Sequence, residues 1–165
     1  MTYDHIPFLL FALLLGTASI FDVMFRIIPN WVCALVALLG ISTHVTLSGA
    51  DGFSEASLGL LLPLALLVPL YAAKVMGAGD VKLIAAVGAF VGFTQVLNCL
   101  GIIVILGGLV GILHIAMSRI HYYFPMATRF YFPGAQVARG YIPYGIAIAV
   151  GGIWHQYQMY FQVQL

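Results

Sequence analysis

Apolar runs approaching membrane-spanning length follow one another along the whole chain, separated by short clusters of glycine, proline and charge. Six segments result, at 8–21, 31–47, 58–73, 81–91, 95–117 and 143–160. Gly92-Phe93-Thr94 and Asn98 both qualify as the break between the fourth and fifth. The pattern predicts an all-α membrane protein: a single bundle of six transmembrane helices, with residues 1–165 forming one domain. Composition adds the exclusion. At 63% hydrophobic and 7% charged, with a mean hydropathy of +1.09, the chain is outside the range of soluble globular domains. The first segment reads as a retained span rather than a secretory signal. Residues 1–7 hold Asp4 and no Lys or Arg, and cleavage behind the run would remove it from Asp22.

Charge orients the bundle. The six basic residues all fall in alternate connections: Arg26 in the first, Lys74 and Lys82 around the third, and Arg119, Arg129 and Arg139 in the fifth. The positive-inside bias therefore puts these three connections in the cytoplasm and both termini outside. Asp4, Asp51 and Glu55 fall on the outer side, where solvation accounts for them and replacement is expected to be tolerated. Cys33 and Cys99 lie at different depths with no CxxC pair, so they read as two small core residues. Neither a metal nor another cofactor is expected.

Other features read as packing. Gly88/Gly92, Ala85/Ala89 and Gly107/Gly111 place small residues four apart, which lets helices approach closely in lipid. Pro63 and Pro69 should bend the third segment. The long connection 118–142 mixes arginines with Tyr122, Tyr123, Phe124, Phe130, Tyr131, Phe132 and Tyr141. That composition suits a segment lying in the headgroup region, whether as an anchor or as a lid over a membrane-held substrate. Nothing here forms a nucleic-acid code.

Two aspartates remain to be explained. Asp22 ends the first segment and Asp80 closes Met76-Gly77-Ala78-Gly79 before the fourth, and an acid in or near hydrocarbon marks a functional site by default. The charge topology puts both on the cytoplasmic face. Gly77 and Gly79 allow positive φ and close approach by another chain. The fourth segment is also short, so the 77–80 stretch is expected below the membrane surface as a non-helical wall of a wet pocket. Two carboxylates sharing such a pocket hold a single proton, so that one activates water and the other polarises a peptide carbonyl. His5, His44 and His155 fall on the outer side, and His114 and His121 have no motif around them. From the residues alone, a protease and a small proton-coupled transporter or channel stand about even.

A resemblance enters at these positions. Gly77-Ala78-Gly79-Asp80-Val81-Lys82 resembles the GxGD signature of intramembrane-type aspartyl proteases. Asp22-Val23-Met24-Phe25-Arg26-Ile27-Ile28-Pro29-Asn30 resembles the D-x-x-x-R-x-I-P-N stretch of the prepilin peptidases. Tyr141-Ile142-Pro143-Tyr144-Gly145 is similar to a Pro-aromatic-small motif of that family. The resemblance implies an endopeptidase of the bacterial inner membrane, removing the short basic leader of type IV pilin-like precursors on the cytoplasmic side. Asp22 and Asp80 would form its catalytic pair. Gly77, Gly79, Arg26, Pro29, Asn30, Lys82 and Pro143 would support the motifs, with Pro29 and Asn30 starting the second helix and Arg26 and Lys82 orienting an acid or anchoring the positive side. Larger members add a four-cysteine cytoplasmic domain and N-methylate the new terminus. This chain has neither those cysteines nor a long first connection, so methyltransferase activity is not expected and the tight-adherence (Flp-type) peptidases are the nearer comparison. The sequence does not fix an oligomeric state.

Overall fold

In the first helix, apolar residues recur at spacings of four, three and four: Phe11, Leu15, Ala18 and then Asp22, all buried. One helix face is thus apolar until its last turn, where it delivers a carboxyl group. A computed structural model describes residues 5–123 and 144–162. They form α1 (His5–Phe25), α2 (Asn30–Ala72), α3 (Ala78–Val91), α4 (Phe93–Tyr123) and α5 (Tyr144–Gln162), with no strand among the described residues. Among the described residues three helical stretches are long and apolar enough to cross a membrane: α1, α2 and Phe93–Leu113 of α4.

The 43-residue α2 contains the second and third apolar segments. Its direction changes at Gly49, whose φ of 57° and ψ of −126° are open to glycine and strained for any other residue. Past that point the chain folds back on itself, for a side chain at Gly52 would meet the His44 carbonyl. Both arms then flank α3. Asn30 meets Lys82 and Gly40 meets Ala89 and Phe90, so the first arm runs parallel to α3. Gly59 abuts Gly88 and Gly92, so the second arm, like the first held at glycine-to-backbone distance, runs antiparallel. Pro63 and Pro69 lie inside the second arm without ending it.

The C-terminus of α2 closes with two crossed backbone bonds, Lys74 N–H to Tyr71 O (2.9 Å) and Val75 N–H to Leu70 O (3.0 Å). Lys74 takes the left-handed conformation (φ 57°) that such a stop requires. The 14-residue α3 follows, about 21 Å long and buried over nearly its whole circumference. It ends at Gly92 (φ 86°), where His44 leaves no room for a Cβ.

Gly92 is therefore the break between the fourth and fifth segments, and Asn98 lies inside α4. Three further expectations are corrected. Asp51 and Glu55 are helical, because the turn is made at Gly49 alone. Glu55 is not simply solvated: its Oε2 accepts the Thr94 N–H at 3.3 Å and caps α4 from a neighbouring element. Residues 118–123, assigned to the long connection, continue α4, while 124–143 lie outside the described residues, Pro143 included, as does Asp4.

The register of α1, α3 and α5 follows from their contacts. Phe11 stacks on Phe90 with ring centroids 4.0 Å apart. Leu15, Val87 and Phe11 converge on Gly152, whose missing side chain makes room for all three. Antiparallel pairing thus sets Leu15, Val87 and Gly152 in one layer. Seven residues, or two helical turns, lead from there to Asp22 on α1, Asp80 on α3 and Gly145 on α5.

Candidate active site where α1, α3 and α5 meet

Each aspartate is fixed by a different local device. Asp80 is the third residue of α3 and its Oδ2 accepts the N–H of the N-cap residue Gly77 at 3.2 Å. An acid in the first turn also faces the positive end of the helix. Asp22 sits in the last turn of α1, and its Oδ2 accepts the Gly145 N–H, at the start of α5, at 2.8 Å. Ser19, one turn earlier, donates from Oγ to the Gly145 carbonyl at 3.1 Å and is shared with Leu15 O at 3.0 Å. Two side chains of α1 therefore hold both backbone polar groups of one glycine.

Gly145 accepts no side chain there. A Cβ would stand 2.7 Å from Asp22 Oδ2 and 2.8 Å from Asp22 Cβ.

Both carboxyl groups are out of solvent, Asp22 at 0% and Asp80 at 3% exposure. The register brings them to one level. Asp80 Oδ1 is buried with no hydrogen-bond partner among the described residues. An orphaned carboxyl oxygen is costly unless it has work to do. Two carboxyls at one depth, each with an oxygen held by a backbone N–H, suit acid–base chemistry between them.

Of the two freedoms the glycines of the GxGD stretch allow, the structure uses one. Gly77 has φ −71° and Gly79 lies within the first turn of α3, so neither needs positive φ. Gly77 is required by contact, since its Cβ would approach Asp80 Oδ2 to 2.9 Å. Gly79 leaves room for Ile28 of the α1–α2 connection, since a Cβ at 79 would stand 3.1 Å from Ile28 Cβ, which is the expected close approach. Only Gly77 remains outside the helix, so the predicted non-helical wall reduces to that residue.

The remaining expected residues separate into two places. Arg26 adopts φ 56° directly after α1, and its N–H bonds Asp22 O at 2.9 Å. Pro29 is the extended N-cap of α2 and Asn30 its first residue, as the sequence suggests. Lys82 is exposed and donates from Nζ to Asn30 Oδ1 at 3.0 Å, joining the two motifs on the face of α3 away from Asp80. Pro143 lies outside the described residues.

His44 bonds Phe90 O through Nε2 at 3.1 Å, and buried His155 is ten residues along α5 from Gly145, so both lie toward the other end of the bundle. Cys33 and Cys99 are buried free thiols. Among the described residues no three His, Cys, Asp or Glu side chains cluster as metal ligands would. The Tyr141–Gly145 motif does not announce the bond from Gly145 to Asp22, and no motif marks Ser19. A lone hydroxyl three residues before an intramembrane acid was the available signal.

A sequence model of the type IV leader peptidase family matches residues 9–112, which includes both aspartates, the GxGD stretch and the α1–α2 connection. No curated protein and no solved structure matches the chain. The matched residues cover well over half of the sequence, and on that ground the chain belongs to the type IV leader peptidase family.

Proposed function

We propose that this chain is a membrane aspartyl endopeptidase that removes the short basic leader of type IV pilin-like precursors, with Asp22 and Asp80 as its catalytic pair. The observation that carries the reading is the placing of two buried carboxyls at one level of the α1, α3 and α5 register, within a leader peptidase family match. In the reaction the pair shares one proton. The ionised carboxylate takes a proton from water as that water attacks the scissile carbonyl. The protonated partner hydrogen-bonds the carbonyl oxygen and stabilises its developing charge. The proton is then handed to the leaving amine, which restores the pair.

Gly145 and Gly77 position the two carboxyls through their N–H groups, and Gly79, Pro29 and Asn30 shape the surrounding turns. Sidedness follows from charge: with Arg26, Lys74 and Lys82 on the aspartate side, the positive-inside bias puts the site at the cytoplasmic face of a bacterial inner membrane. We read the whole chain as one domain of six spans, with α2 supplying two and both termini outside. The test is direct. Purified protein in detergent should convert a pilin-like precursor into leader and mature fragments without other proteins, and a proton-coupled transporter would leave the precursor intact.

A further inference from the structure

A cavity of about 280 Å³ opens on the side of α3 opposite the aspartates, between the two arms of α2. It is lined by Ala34, Ala37, Leu60, Leu64, Ala85 and Ala86, with Lys82 and Asn30 at one end. At 100° per residue, Lys82, Ala85 and Ala86 lie about 140–240° round α3 from Asp80. The groove is therefore no part of the cleft between Asp22 and Asp80, and a peptide lying in it would be shielded from them by α3 itself.

The groove is open along one side and apolar along its length, which suits a hydrocarbon chain laid in from the bilayer. The ends of the groove differ in kind: alanine and leucine along its length, an ammonium and an amide at the end level with the start of α2. Lys82 gives one N–H to Asn30 and keeps two more to offer. Ala34 and Lys82 are both exposed, so the site is open from the lipid side.

We propose that this groove binds one anionic membrane phospholipid, its acyl chain along Ala34, Ala37, Leu60 and Leu64 and its phosphate on Lys82 and Asn30. The lipid braces the two arms of α2 against α3 from behind the site. This is independent of which reaction Asp22 and Asp80 perform.

The test is lipid retention, read by mass spectrometry of the intact protein released from detergent. Phosphatidylglycerol and phosphatidylcholine of identical acyl chains are offered in equal amounts. One phosphatidylglycerol should stay bound, with roughly tenfold preference over phosphatidylcholine, as a charge-assisted contact gives. Lys82→Met should remove the preference while leaving weak binding of both. Ala34→Phe, at an exposed position that tolerates bulk, should displace both lipids. Millimolar inorganic phosphate should release neither. Equal retention of the two lipids by the unaltered protein would overturn the proposal. So would a preference that survives Lys82→Met, retention that survives Ala34→Phe, or release by phosphate or by an apolar precursor peptide.

Discussion

The contact between Gly145 and Asp22 gives the sharpest test of how the site is held. In Gly145→Ala the new methyl would stand 2.7 Å from Asp22 Oδ2 and 3.0 Å from Cγ, where carbon contacts ordinarily begin near 3.5 Å. The carboxylate must withdraw by roughly 0.7 Å, which stretches the 2.8 Å bond from Gly145 N–H beyond hydrogen-bonding range. Loss of a hydrogen bond to a charged group is worth about 1.5–3 kcal/mol, or roughly 10- to 100-fold in rate if it supports the transition state. Misplacement of a reacting group by under 1 Å has an effect of similar size.

We expect kcat for precursor cleavage to fall by that factor while KM changes little, measured on purified protein whose melting temperature shows it folded. Ser19→Ala, which removes only the outer hydroxyl, should cost about 0.5–1.5 kcal/mol, or roughly 2- to 10-fold. Gly108→Ala is the control, with no atom within 4 Å of the added Cβ, and should behave as the unaltered protein. A folded Gly145→Ala protein with unchanged kcat would refute the positioning argument.

Two other substitutions separate architecture from chemistry. Gly40→Ala would put a Cβ 2.5 Å from Phe90 N and 2.6 Å from Ala89 C, backbone atoms that cannot rotate away. Melting temperature and yield of monodisperse protein should drop, reflecting a loss of at least about 1–3 kcal/mol. Glu55→Ala removes the acceptor for Thr94 N–H and should destabilise by about 1 kcal/mol in a thermal melt, with kcat unchanged because the contact lies at the opposite end of α3 from Asp80.

The parts legible in the sequence were those carried by local pattern. The apolar stripe of α1 leading to Asp22, the start of α2 at Asn30 and the short α3 behind a glycine pair all follow from spacing and turn chemistry. The parts that were not legible depend on contacts between distant residues. Asp22 and Gly145 are 123 positions apart, and nothing local in either segment announces the bond between them. Glu55 looked like a solvated loop acid because the turn at Gly49 was assigned to a wider stretch, while its acceptor role is set by Thr94, 39 residues later. Gly77 and Gly79 allow both positive φ and close approach, and only the lack of bulk is used, a distinction that depends on where Asp80 Oδ2 and Ile28 lie. Lys82 was read as orienting an acid or anchoring the membrane. Helical geometry turns it about 200° away from Asp80, toward Asn30 and the lipid-side groove.

The central claim is that Asp22 and Asp80 act as one catalytic pair, and the measurement that addresses it most directly is cleavage of a purified pilin-like precursor by Asp22→Asn and Asp80→Asn proteins. Each change keeps size and shape at a buried position while removing the capacity to exchange a proton. Both proteins should remain folded, judged by melting temperature, and neither should release detectable leader peptide at enzyme concentrations where the unaltered protein completes the reaction. Full processing by either folded variant would contradict the account.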